Sequence, residues 1–379
     1  MKKHRRDILA LAAKYRQTDA IPPCRHFGEC GGCLFQDIAY GDQLRLKLEY
    51  LNGLFAGAAE VVDIIPSPPL GYRNRMDYVT AFGRMGLRKA GRYRHVVDIE
   101  SCEILQEKSR SLFAGLRPLL AGVEDYDYVT HRGYLRYAVF RQGYFTGECM
   151  INLVAAKEDD RVSSVLEPLL GSVDSVSLLL NDGLADLSSG PVFRTIKGGA
   201  ITEEFDGVKF NITPNSFFQS NSPVARELYR RIRAEIAGGR VLDLYSGVGS
   251  ISLFIASMAE HVTGVELSAE AVEAANGNLA VNGVGNADFV CADARDFLAE
   301  RGSGYDTVVL DPPRAGTHPK MIRRLNEVRP RKIVYVSCNP ASFRQDLAAL
   351  EGYRLDSITA FDMFPQTPHV ETLAVLTLP

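Results

Sequence analysis

The chain has 379 residues, 46% of them hydrophobic, with 43 Lys and Arg against 46 Asp and Glu and a formal charge of −3. That length and apolar share can bury a substantial core in two or more domains, and no low-complexity tract argues for disorder. No apolar run approaches a membrane span, and the near-balanced charge gives no global footprint of a nucleic-acid binder, though a mean can hide a local patch.

Met1-Lys2-Lys3-His4-Arg5-Arg6 leads into Asp7-Ile8-Leu9-Ala10, a short amphipathic helix with no long apolar region and no convincing cleavage site, so a cytoplasmic protein is expected. Seven cysteines, an odd number, then argue against a disulfide framework. Cys24, Cys30 and Cys33 form C-x5-C-x2-C, with glycines that free the backbone to wrap a metal centre, and Cys102 in Glu100-Ser101-Cys102-Glu103 is the candidate remote fourth ligand. Three thiolates from one loop and one from elsewhere suit an iron–sulfur cluster; a structural zinc is the alternative, although it often shows two paired C-x2-C knuckles. Cys149 and Cys291 lie in apolar segments and read as buried, inert thiols. A second helix is expected from Tyr40 to Phe55, which closes an N-terminal unit at 1–55.

The stretch Ile64-Ile65-Pro66-Ser67-Pro68-Pro69 breaks the pattern and marks a boundary. Short alternating runs then predict an antiparallel α+β central domain over 56–205, with flanking helices. Arg73, Arg75, Arg84, Arg88, Lys89, Arg92 and Arg94 are offset only by Asp77, and Tyr78, Phe82 and Tyr93 are interleaved. Arginines among aromatics suit RNA phosphates and unstacked bases, although a solvated sheet face has the same pattern.

From Val241 the character changes to strands alternating with helices, the mark of a doubly wound, mostly parallel sheet in a domain over 206–379. Strands are predicted at 240–245, 261–266, 286–291, 305–310, 331–337, 354–361 and 371–378, and Ser268 is a good N-cap. Ligands in such sheets bind outside the carboxyl ends of the parallel strands. Gly247 and Gly249 form a G-x-G turn after the first strand, with Ser252 at the place of a third glycine. Glu266, about twenty residues on, can accept from ribose hydroxyls, and Asp293 from an adenine amino group. An adenosine-containing ligand uses all these points.

Asp311-Pro312-Pro313-Arg314 and Ser337-Cys338-Asn339-Pro340 end two further strands. Hydride transfer gives a strand-end thiol no role, whereas methyl transfer from S-adenosylmethionine does. Arg314 stands where amine methyltransferases carry an aromatic, which turns the reading towards carbon methylation. C5 of uracil is too weak a nucleophile alone, but thiolate addition at C6 makes it an enolate, and Cys338 would supply that thiolate. The C5 proton must then leave. Glu371, on an antiparallel last strand starting at the same sheet edge, is the candidate base.

With these motifs, Gly71-Tyr72-Arg73-Asn74-Arg75, Asn215-Ser216-Phe217-Phe218-Gln219 and Leu242-Asp243-Leu244-Tyr245-Ser246-Gly247, nearly the whole chain resembles the uracil-5 RNA methyltransferase family. The resemblance implies a Rossmann-like class I methyltransferase domain with a seven-stranded sheet, acting on ribosomal or transfer RNA. It implies a 4Fe–4S cluster on Cys24, Cys30, Cys33 and Cys102, a cofactor region at Gln219, Tyr245, Glu266, Asp293 and Asp311, a nucleophile at Cys338 and a base at Glu371. Tyr245 stands where a phenylalanine is common, and Ser250 where some members use asparagine. A compact form without the N-terminal RNA-binding β-barrel is expected, and a monomer. Two other functions compete: an RNA-binding or RNA-folding protein with secondary chemistry, which has no need of Cys338 and Glu371, and an RNA cytosine-5 methyltransferase, which would show Pro-Cys rather than Ser337-Cys338.

Overall fold

The computed structural model of the chain describes residues 3–379; Met1 and Lys2 of the predicted N-terminal helix lie outside the described residues, and the helix runs Lys3–Ala12. A second helix, Tyr40–Leu54, buries Leu46, Tyr50 and Leu51 along one face.

Among the described residues the C-terminal part is built on an eight-stranded sheet. Its spatial order is Ile64–Ile65, Arg354–Phe361, Glu371–Thr377, Lys332–Ser337, Thr307–Leu310, Arg240–Leu244, His261–Glu266 and Ala287–Cys291. Neighbours are parallel except around Glu371–Thr377, which is antiparallel to both Lys332–Ser337 and Arg354–Phe361. The seven predicted strands are present, each within two residues of its expected ends. The eighth is an addition: Ile64–Ile65, read as part of a boundary, pairs in parallel with Ala360 and Phe361. Two apolar residues before a proline run carry too little pattern to be read as a strand, and only the partner edge reveals them.

From Arg240–Leu244 the chain winds one way to His261–Glu266 and Ala287–Cys291, then returns to Thr307–Leu310 on the other side. This reversal opens a crevice at the strand ends, where a ligand can enter. Central strands are buried on both faces, so Val241, Leu242, Val308, Val309, Ile333 and Val334 are fully inaccessible. The core beneath one face also takes in Ile8, Leu51, Phe55 and Val61, so the N-terminal helices pack directly on the C-terminal sheet.

The central sheet has seven strands, in the order Val192–Lys197, Ser175–Leu180, Cys149–Ala155, Leu135–Gln142, Arg75–Ala81, Arg84–Lys89, Arg92–Asp98. It is mixed rather than antiparallel, because Cys149–Ala155 and Ser175–Leu180 run in parallel. Residues 156–174, with the short helix Ser164–Leu169, provide the long crossover that a parallel pair requires. The cysteine loop lies along the hairpin of this sheet: Cys30 bridges Lys89, Gly31 N–H donates to Arg88 O at 3.0 Å, and Ala90 N–H donates to Glu29 O at 2.9 Å.

Three readings of side chains are corrected. Cys149 is buried, but Cys291 is exposed, because it ends the sheet's outermost strand where no neighbour covers it. Tyr78 is no RNA platform: it is buried and stacked on Phe113 with centroids 3.9 Å apart, whereas Phe82 and Tyr93 are exposed. Arg75 and Arg88 are already paired, with Asp77 at 2.8 Å and with Asp186 at 2.6 Å.

Candidate active site

At the crevice the chain leaves Leu244 through alternating left-handed residues, Tyr245 (φ 66°), Gly247 (φ 55°) and Gly249 (φ 77°). Left-handed backbone is costly for a side chain such as that of Tyr245, and such conformations cluster at functional sites. The turn is held by Glu266, whose Oε2 accepts from Gly247 N–H at 3.1 Å while Oε1 accepts from Leu267 and Ser268 N–H at 2.8 and 2.9 Å. Gly249 begins the helix Ser250–Ile255, and a Cβ there would meet Phe289 Cζ at 2.3 Å. Ser252, one turn on, has its own reason to be there: its hydroxyl donates to the buried Asp243 carboxylate at 2.5 Å.

A cavity of about 1070 Å³ opens above the turn. Eight of the predicted site residues line it: Gln219, Tyr245, Gly247, Glu266, Asp293, Asp311, Cys338 and Glu371. Gly249 does not; it sits behind the turn, against Phe289. Asp293 caps the helix Ala294–Arg301 and is gripped at both oxygens by Arg295, at 2.9 and 2.6 Å. That ion-paired hydrogen bonding draws its carboxyl down to about 2, so it presents a fixed negative charge.

The nucleophile and base candidates are brought together by strand register. Ser337 pairs with Thr372 in the antiparallel ladder, so Cys338 and Glu371 stand one step beyond, at the same edge. Glu371 also pairs with Phe361 on its other side, which fixes the start of the strand from both neighbours. Asn339 Nδ2 donates to Arg314 O at 3.2 Å and to Ser342 Oγ at 2.7 Å, tying the thiol loop to the Asp311-Pro312-Pro313-Arg314 loop.

The electrostatics are those of a crowded acidic pocket. Burial first, then the Glu371 and Asp311 charges, push the Cys338 thiol up to about 12, with Arg314 opposing. Burial holds Glu371 well above the usual carboxyl range, helped by Asp311 and opposed by Arg314, and pushes Asp311 up to about 6. In the open cleft Cys338 and Glu371 keep their protons at neutral pH while Asp311, at about 6, is mostly ionised, and ionisation of the thiol and of Glu371 waits on what binds beside them.

Some lining residues carried no clear signal in sequence. Phe217, 69% exposed between the buried Ser216 and Phe218, presents its ring at the cavity, as does Phe364, over which Arg314 lies at 5.9 Å. An aromatic exposed inside a polar run was the available hint for Phe217.

A second cavity, of about 410 Å³, is lined by Cys24, Cys30, Cys33 and Cys102, and Arg73 and Arg75 line both cavities. All four thiols are free, and burial pushes Cys33 and Cys102 up to about 12. Among the described residues no group of three or more His, Cys, Asp or Glu side chains is drawn into a geometry that could hold a metal ion. The thiols thus share a cavity without converging on one point.

The sheet and its crevice define a chain with the α/β fold of S-adenosylmethionine-dependent methyltransferases. A profile of the tRNA (uracil-5-)-methyltransferase family matches residues 206–378. The tRNA (uracil(54)-C(5))-methyltransferase of Pyrococcus furiosus is 39% identical over 356 residues, 93% of this chain and 84% of that protein. That of Pyrococcus horikoshii is 39% identical over 376 residues, 97% of this chain and 89% of that protein. The crystal structure of the Pyrococcus abyssi tRNA (uracil-54, C5)-methyltransferase in complex with S-adenosyl-L-homocysteine superposes with a TM-score of 0.83 at 36% identity, covering 91% of this chain and 86% of that one. The chain belongs to the RNA uracil-5 methyltransferase family, and it is an RNA (uracil-5-)-methyltransferase.

Proposed function

We propose that this enzyme methylates C5 of a uridine in transfer RNA through a covalent adduct between Cys338 Sγ and C6 of the base. The observation that carries the reading is the register that sets Cys338 beside Glu371 at the mouth of one cavity. Support for transfer RNA comes from the names of the Pyrococcus relatives.

S-adenosylmethionine supplies an electrophilic methyl group when bound; Tyr245, Gly247, Glu266 and Asp293 would hold its adenosine part, with Gln219 and Asp311 nearer the reacting atoms. Cys338 adds to C6 as a thiolate, and the C5–C6 π electrons move into the C4 carbonyl, which leaves C5 nucleophilic. Once C5 carries the methyl group, Glu371 as carboxylate takes the C5 proton. The C–H electrons rebuild the C5–C6 double bond and the C6–S bond breaks, returning the thiolate. Reaching C6 requires the uridine to leave its stack, and the exposed Phe217 ring offers a surface against which an extruded base can lie.

We further propose that Cys24, Cys30, Cys33 and Cys102 hold an iron–sulfur cluster. An all-thiol donor set around a cavity wider than one ion supports a cluster over a single zinc. No step of the methylation is routed through it.

The test of substrate is labelling: protein, S-adenosylmethionine with a labelled methyl group, and transfer and ribosomal RNA from cells lacking the enzyme. One labelled 5-methyluridine in transfer RNA is expected. Label in ribosomal RNA alone overturns the choice of transfer RNA, and label on cytosine overturns the choice of base.

A further inference from the structure

Between the strands Arg354–Phe361 and Glu371–Thr377 the chain runs for residues 362–370 without helix or strand, yet this segment carries Phe364 into the cavity and delivers Glu371. Most of it is buried, and Gln366 takes a left-handed backbone at φ 67°. Such a segment holds one shape only if its surroundings impose it.

Those surroundings come from the far end of the sequence. Gln43 Nε2 donates to Gln366 Oε1 at 2.9 Å, and Gln366 N–H donates back to Gln43 Oε1 at 2.9 Å. The same Gln43 amide nitrogen lies 3.0 Å from Phe35 O and 2.9 Å from Ile38 O, while Leu34 and Phe35 N–H both donate to Gln366 O. One helical turn along, Lys47 Nζ donates to Asp362 Oδ1 at 2.5 Å and to Phe364 O at 3.2 Å. Residues four apart share a face, so one helix grips the segment at its start and its middle. Tyr72 hydroxyl to Pro365 O at 3.1 Å and Asn221 Nδ2 to Met363 O at 3.0 Å close the remaining sides.

Lys47 and Asp362 are both fully buried. Desolvating an ion pair costs enough that apolar side chains of similar size commonly do as well for stability, so directional bonds are the stronger reason to keep one. Here Lys47 also holds the Phe364 carbonyl, and Asp362 is itself the first residue of the segment that leads to Glu371.

We infer that Gln43 and Lys47 are positioning residues for the proton-abstraction step, fixing segment 362–370 so that Glu371 meets the C5 proton. This rests on the reading of Glu371 as the base. A base must come within hydrogen-bond reach of its proton, and a misplacement of about 1 Å can cost about a hundredfold. Cys338 follows the strand Lys332–Ser337, which none of the Gln43 and Lys47 bonds reaches, so the two steps are expected to separate.

The experiment uses the full chain with Gln43→Met, the double variant Lys47→Met with Asp362→Leu, and Glu371→Gln beside them. In single turnover with labelled S-adenosylmethionine, formation of the denaturation-resistant methylated protein–RNA adduct and release of 5-methyluridine are timed separately. Gln43→Met is expected to form adduct within about threefold of the parent and to release product on the order of tenfold to a hundredfold more slowly. The double variant, whose apolar pair replaces the buried ions, is expected to unfold at the parent temperature or higher and still release slowly. Release at the parent rate in both variants, or equal slowing of both steps with no adduct build-up, overturns the inference. Failure of Glu371→Gln to trap a methylated adduct instead overturns the base assignment beneath it.

Discussion

Cys338 and Glu371 are separated by 32 intervening residues in sequence but stand side by side, one residue beyond the hydrogen-bonded pair Ser337 and Thr372 of antiparallel strands. An all-parallel sheet would put the start of the last strand at the opposite edge. Inserting one antiparallel strand brings a thiol at a strand's end and a carboxyl at a strand's beginning to one point, and the chemistry proposed for them follows from that reversal.

Asp311 ties this site to pH. Its ordinary value near 3.8 is pushed to about 6 in the folded protein, so the stability it permits is present below about 3.8 and lost as pH rises through about 6. Asp311→Asn should therefore be more stable than the parent at pH 8, with the difference vanishing by about pH 4. The bound is roughly 3 kcal/mol, and less is expected because Asp311 keeps part of its surface open to the cleft. Urea unfolding across this range measures it, and parallel pH dependences for the two proteins would contradict it.

Gly249→Ala should destabilise the fold by about 2–4 kcal/mol. The new Cβ meets Phe289 Cζ at 2.3 Å and Leu253 Cδ1 at 2.9 Å, at a backbone φ of 77°. Measured against Phe289→Ala alone, the added Gly249→Ala no longer meets the Phe289 ring but keeps the Leu253 contact and the backbone cost, so a smaller loss, a partial recovery, is expected in thermal unfolding. No recovery would mean that Phe289 is not the obstacle.

Arg92 and Arg88 should separate in RNA binding. Arg92 is exposed on the hairpin beside Tyr93 and meets no acid among the described residues, so Arg92→Ala should weaken binding and lower the salt slope by about one. Arg88 is paired with Asp186 and lies over Tyr128 at 4.7 Å, so Arg88→Ala should change the slope little. Filter binding across a salt series decides; an unchanged slope for Arg92→Ala assigns it to a solvated face.

Protein purified without oxygen should be brown, with a broad visible band that Cys24→Ser, Cys30→Ser, Cys33→Ser or Cys102→Ser each bleaches, and that Cys149→Ala and Cys291→Ser leave intact. A colourless protein with one zinc per chain would contradict the cluster.

The strands flanking the crevice were legible because buried parallel strands read as apolar runs such as Val308-Val309-Leu310, punctuated by Gly247 and Pro312. Tyr78 was misread because strand alternation does not say which face is covered, and Phe113, which covers it, comes from a distant helix. Gln43 and Lys47 carried no signal at all. Polar residues on a helix read as its solvated side, and only the return of segment 362–370 against them shows that this face is interior.

The most direct measurement of the proposed mechanism is the fate of labelled methyl in the Cys338 and Glu371 variants. Glu371→Gln should accumulate a denaturation-resistant protein–RNA complex carrying label from S-adenosylmethionine, since C5 is methylated but cannot lose its proton, and Cys338→Ala should give neither complex nor 5-methyluridine. Normal turnover by Glu371→Gln, or 5-methyluridine from Cys338→Ala, would contradict it.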